Sequence, residues 1–185
     1  MIRTLGVCAA VVLTASFATA QSTFRLTSPD APAGSTMKIE QVFNGFGCTG
    51  GNVSPALAWT GAPAGTRSFA LILHDPDAPT GVGGFTHWIA YNIPASATGL
   101  AKGAGAGDGK ALPAGAMQAA TSFGAAGYGG PCPPAGDKPH RYVFTLYALN
   151  TETLTLPPNA TQALAGFTIN GAKLGTATFT AMYGR

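Results

Sequence analysis

The sequence predicts an all-β protein: an antiparallel β-sandwich of two sheets, with a few short peripheral helices. Three observations carry this prediction. Short runs rich in β-branched and aromatic residues recur along the chain, of which Arg141 to Asn150 is the strongest. Turn formers separate them, with 26 glycines and 14 prolines among 185 residues, which leaves little room for long helices. Residues from His87 to Ile93 alternate with the period of a pleated strand. The length suits a single domain with a sizeable core.

Residues 1–20 read as a cleaved secretory leader. Arg3 is the positive start, Val7 to Phe17 the apolar stretch, and Ala18, Thr19 and Ala20 a small-residue cleavage site. The apolar stretch falls short of the roughly 20 residues of a membrane span, so no stable membrane insertion is expected. The domain then runs from residue 21 to 185. Phe24 to Thr27 is an expected edge strand, and Ser28 to Gly34 a turn-rich loop. Met37 to Phe43 alternates imperfectly and is expected as a strand. Asn44 to Asn52 is nearly all turn formers, and Leu57 to Thr60 is a short strand.

Ser68 to Leu73 is almost continuously apolar, the pattern of a central strand buried on both faces. In the following strand His87, Ile89 and Tyr91 share one face by alternation, and Trp88, Ala90 and Asn92 the other. Residues 95–127 are rich in Ala and Gly and read as loop. Asn159 is placed to cap a short helix through Gly166, Thr168 to start another helical turn, and Ala177 to Tyr183 to form a last strand.

Composition excludes several functions. Only 9% of residues are charged and the net charge is +3, with no run of Lys or Arg, so neither nucleic acid nor an acidic membrane surface is an expected partner. Beyond the leader two cysteines remain, Cys48 and Cys132. In an oxidising compartment an even pair points to one disulfide, the alternative being two separate thiols; neither cysteine has a neighbour in zinc-ligand spacing.

All three histidines fall in polar segments at the ends of apolar strands. Asp75 stands immediately before Pro76, and Asp77 between Pro76 and Pro79; the prolines cannot continue a ladder, so two carboxylates stand at a strand end. His87 lies in the next strand. His140 and Tyr142 share strand parity and can face one side together. Two imidazoles and a phenol near a carboxylate offer several N–H and O–H donors, which suits a small anion such as phosphate. Gly129 and Gly130 are expected to add backbone N–H groups, in a loop stiffened by Pro131, Pro133 and Pro134. Arg141 points the other way and is expected to pair with Asp77 or Asp75; His74, opposite in parity to Asp75, falls outside.

The chain resembles the phosphatidylethanolamine-binding protein family, in its bacterial Raf-kinase-inhibitor-like branch (the YbhB/YbcL type). The resemblance rests on Gly51 to Pro55 (GNVSP), Asp75 to Pro79 (DPDAP), Thr86 to Trp88 (THW), Gly127 to Pro134 (GYGGPCPP), His140 to Tyr142 (HRY) and Tyr183 to Arg185 (YGR). These motifs span nearly the whole chain beyond the leader. The resemblance implies a two-sheet sandwich with an anion pocket at one end. Carried over by motif, the pocket residues are Asp75, His87, His140 and Tyr142, with Asp77 beside them, walled by Phe85 and by Gly130, Pro131 and Pro133. Family members with lipid or kinase roles carry a C-terminal helix by the pocket, and this chain's short end departs from that. The paired cysteines resemble those of exported bacterial members, which implies a periplasmic or secreted protein.

The leading expectation is therefore a binding protein, not an enzyme and without a cofactor, that holds phosphate or a phosphorylated head group and modulates or inhibits a protein partner. Ser54 and Ser68 sit in no nucleophile elbow. One rival is a metal-dependent hydrolase with Asp75, His87 and His140 as ligands. Another is a secreted protease or kinase inhibitor that acts through its surface loops.

Overall fold

The computed structural model describes residues 23–157 and 160–185; the expected leader and the expected cap Asn159 lie outside them. Ten strands and one helix are found among the described residues. β4 (Leu57–Thr60) pairs on one side with β1 (Arg25–Thr27) and on the other with β7 (Gly99–Leu100). A five-stranded antiparallel sheet lies opposite. Its members, in spatial order, are β10 (Lys173–Tyr183), β9 (His140–Leu149), β5 (Ser68–Asp75), β6 (Phe85–Pro94) and β8 (Met117–Gln118). A small hairpin of β2 (Asn44–Gly45) and β3 (Cys48–Thr49) stands apart.

Between the two sheets lies the main core. Leu26, Leu57, Trp59 and Leu100 come from the small sheet and face Leu71, Leu73, Trp88, Phe144 and Leu146 from the large one. The outer face of the large sheet is covered in turn. There Ala70, Ile89, Tyr91 and Leu149 pack beneath Leu154 and beneath Ala165 and Ile169 of α1 (Gln162–Gly171). β5 is thus sealed on both faces, as its unbroken apolar run predicts. The fold is the antiparallel sandwich expected, with strands at the positions predicted for β1, β4, β5, β6 and β9.

Five local expectations differ. Residues 95–127, expected as loop, contribute the two-residue strands β7 and β8. Met37 to Phe43 is not a strand but a pair of reverse turns, Gln41 N–H donating to the Lys38 carbonyl and Val42 N–H to that of Ile39. The wholly buried Gln41 side chain brackets them by accepting from Lys38 N–H at 3.1 Å. Met37 and Val42 are the apolar residues buried here, at a separation that no strand period produces. The turn-forming stretch after them closes as the β2–β3 hairpin around Phe46 and Gly47, at φ 53° and 80°. The helix starts later than expected and is a single one. Thr161 caps it, accepting from Leu164 N–H at 3.1 Å, and Thr168 sits inside it. β10 begins at Lys173, four residues before the expected start, because its pairing with β9 extends to Lys173 opposite Leu149.

β6 breaks its own alternation twice. Leu73 pairs with Trp88 but His74 with Thr86, leaving His87 as an extra residue; a second irregularity falls between the pairs Phe69–Ile93 and Leu71–Ala90. Such bulges re-aim the side chains beside them. Asn92, at φ 56°, therefore turns to the outer face with Tyr91, where its side chain accepts from Leu154 N–H and donates to the Leu154 carbonyl.

Candidate functional site

One end of the sandwich holds a cavity of about 190 Å³, whose wall includes Asp75, His87, His140 and Tyr142. Each arrives there for a local reason. Phe69, Leu71 and Leu73 of β5 face the core between the sheets, and Asp75 continues that face into the strand end. His140 and Tyr142 continue the inward face of Phe144 and Leu146 in the neighbouring β9. His87 is delivered by the bulge, not by the alternation of β6. Plain alternation places it with Ile89 and Tyr91 on the outer face. The extra residue turns it inward instead, edge to face with Tyr142 at 5.2 Å between ring centres.

The Asp75 carboxylate is almost fully committed. One oxygen accepts from the backbone N–H groups of Asp77 and Ala78, at 2.9 and 3.1 Å, in the turn that Pro76 enforces. The other accepts from His140 Nδ1 at 2.8 Å. The bond to Asp75 orients the ring, and its Nε2 lies 3.4 Å from Asp137. Nδ1–H of His87 donates to the Gly129 carbonyl at 2.7 Å. Burial is the largest influence on this imidazole and lowers its pKa from 6.5 to about 4. At neutral pH it is therefore uncharged, with Nε2 as a lone-pair acceptor. The wholly buried Tyr142 hydroxyl forms no hydrogen bond of full geometry among the described residues, although the Asp75 carboxylate is close enough to act on it. Burial first, and the Asp75 charge second, push its pKa well above the ordinary tyrosine value, so it remains an O–H donor.

The sequence profile of the phosphatidylethanolamine-binding protein family matches residues 19–184. The chain belongs to this family. Among curated relatives, YbcL of Escherichia coli is 48% identical over 168 residues, 91% of each chain. YbhB of the same bacterium is 43% identical over 159 residues, covering 86% of this chain and 99% of that one. The crystal structure of YbcL superposes with a TM-score of 0.86 over 89% of this chain and 99% of its own. A Chlamydia trachomatis homologue, CT736, follows at 0.72 with 30% identity, over 88% and 97% of the two chains.

In this family member the four motif residues meet, and Phe85 and Pro133 join them in the cavity wall. Asp77, Gly130 and Pro131 do not. Asp77 is held outside by Arg141, with Nη2 at 2.6 Å and Nε at 2.9 Å from its two oxygens and the Arg141 backbone N–H at 2.8 Å. That guanidinium lowers the Asp77 pKa to about 2. The expected backbone donors are also engaged elsewhere: Gly129 N–H bonds the His87 carbonyl and Gly130 N–H the Asn52 side chain. Both positions need glycine for packing. A Cβ would lie 2.1 Å from the Phe123 ring at Gly129 and 2.0 Å from the Gln41 carbonyl at Gly130. His74 stays outside the pocket, as parity predicts, bonded to Thr86 and the Gly83 carbonyl.

Sequence reasoning missed Phe46 and Phe123. Phe123 touches Phe43, Phe46, Phe85 and His87, at 4.5 to 5.9 Å between ring centres, and so joins the aromatic half of the wall. The available signal was a lone phenylalanine in a glycine- and alanine-rich loop, where no core packing calls for one. Cys48 and Cys132 are joined, with Cα atoms 6.1 Å apart, and Cys132 borders the cavity.

The buried neutral state of His87 has a consequence for stability. Between pH 6.5 and about 4 the unfolded chain binds a proton at this residue that the folded chain refuses. Stability therefore falls as pH drops through that window, by roughly 3 kcal/mol at full extent. Urea denaturation at stepped pH, for wild type and His87→Gln, tests this. The wild type should lose more stability across the window than the variant, and parallel curves would refute the assignment.

Proposed function

We propose that this family member is a binding protein, not a catalyst, and that its pocket holds phosphate or a phosphorylated head group. The observation that carries the reading is the Tyr142 hydroxyl: a buried donor with no hydrogen bond of full geometry, on the wall of a cavity. Leaving such a group unpaired costs about 1–3 kcal/mol, and an anionic oxygen would recover that through a charge-assisted bond. The Asp75 charge works against an anion here, as it does against the ionised form of Tyr142, and is offset in part by His140 and two backbone N–H groups. The cavity is smaller than the roughly 300–1,000 Å³ of drug-sized pockets, which favours a head group over a large ligand. The Asp75–His140 pair is bonded internally, and the described residues contain no three metal-binding side chains converging on one point, so the donor set does not favour the hydrolase.

We place the protein in the cell envelope or outside it. The disulfide suits an oxidising compartment. A relative from Mycobacterium tuberculosis, 44% identical over 71% of this chain, is named a putative lipoprotein. No helix among the described residues is long and apolar enough to cross a membrane. A protein partner that it modulates is part of the same proposal, with no surface yet assigned to it.

Calorimetric titration with inorganic phosphate tests the reading. Tyr142→Phe removes only this hydroxyl, so the unliganded melting temperature should hold or rise slightly. Phosphate affinity should fall by about 10- to 100-fold, the worth of one hydrogen bond to a charged group. Equal affinity for the two proteins would count decisively against the pocket as an anion site.

A further inference from the structure

Phe46 leans on Phe43, with the ring centres 5.3 Å apart, yet stands at a turn position that suits a smaller residue. It is the first residue of the two-residue turn between β2 and β3, at φ 53°, followed by Gly47 at φ 80°. This backbone favours Asn or Gly at the first position, and a bulky side chain there is strained. The ring is 70% exposed, so it contributes little to a core. Yet it lies on the cavity wall, nearly parallel to Phe123, with the planes 11° apart and the centres 5.9 Å apart. Val82 and Phe167 are more exposed still, but neither borders the cavity.

The hairpin is also pinned from both sides. Cys48 ties it to Cys132, which also borders the cavity. The Arg185 guanidinium donates to the carbonyls of Phe46 and Gly47, at 3.2 and 3.0 Å, and to that of Pro133 at 2.7 Å. A strained backbone held at the edge of a pocket by two independent devices marks a side chain kept there for contact with something else.

We propose that Phe46 is a specificity-determining residue, whose ring packs against the organic substituent of a bound phosphomonoester. The site would then prefer esters carrying a flat apolar group to inorganic phosphate. This rests on the anion reading of the pocket. The Tyr142 hydroxyl donates to the phosphate, and the collar of Phe46, Phe85 and Phe123 takes the substituent by covering apolar surface. The disulfide and Arg185 act as positioning devices that hold the ring over the opening.

The test compares phenyl phosphate with inorganic phosphate by calorimetric titration, on wild type, Phe46→Ala and Phe46→Gly. Wild type should bind phenyl phosphate more tightly. Both variants should lose about tenfold for phenyl phosphate, the worth of half-covering one ring, and change little for inorganic phosphate. Phe46→Gly also relieves the turn strain, so its melting temperature should hold or rise while the preference disappears. Phe46→Tyr should restore the preference. If wild type binds both compounds equally and the variants change neither, the anion reading stands and Phe46 has no part in selection. If wild type binds neither, the anion reading falls and this assignment with it. Equal losses for both compounds would mean a general distortion of the pocket and would also overturn the assignment.

Discussion

Replacing both Cys48 and Cys132 by alanine should lower stability by about 4–5 kcal/mol. The two residues are 84 positions apart, and cross-linking them removes most of the loop-closure entropy that the unfolded chain would otherwise gain. For a domain of this size the loss corresponds to a fall of roughly 10–15 °C in melting temperature. The bond does more than shorten the unfolded chain, because it joins the β2–β3 hairpin to the proline-rich loop beside the cavity. Calorimetry with and without reductant, beside the double variant, measures the effect. In the unreduced protein a thiol reagent should label neither Cys48 nor Cys132. Labelling of both, or a melting temperature indifferent to reductant, would contradict the cross-link.

Asp75→Ala is the second large effect, expected to cost about 3–5 kcal/mol in urea denaturation at neutral pH. The carboxylate is 2% exposed and serves three donors: the N–H groups of Asp77 and Ala78 and Nδ1 of His140. Alanine leaves all three without an acceptor, and the His140 ring, itself 4% exposed, has little water within reach. Asp75→Asn should cost clearly less. Its amide oxygen can keep the two backbone bonds, and His140 can change tautomer to accept from the amide nitrogen. A cost below 1 kcal/mol for alanine would show that the turn does not depend on this carboxylate. A common cost for both variants would show that the charge matters and the hydrogen-bond pattern does not.

Much of the site was legible before any coordinates. Proline at positions 76 and 79 forces the chain out of the sheet, and strand parity alone puts Asp75 in line with Leu71 and Leu73, and Tyr142 in line with Phe144. The same parity correctly left His74 outside. It failed at His87, because a bulge depends on how two strands fit against each other, and no residue of β6 announces the extra position. The glycine pair at 129 and 130 was misread for a related reason. Glycine marks a close approach, but the sequence does not say whether a ligand or the protein's own backbone approaches, and here it is Gln41 and Phe123.

By itself the sequence determined the sandwich, the central strand buried on both faces, and the set of polar residues available at one end. These follow from local periodicity and from turn chemistry, which act within a few residues. Only the tertiary structure decided that His87 turns inward, that Arg141 takes Asp77 and not Asp75, that both glycine N–H groups are already bonded, and that Phe46 stands over the opening. Each of these depends on partners tens of residues away, and contacts at that range are chosen by the packing of the whole chain.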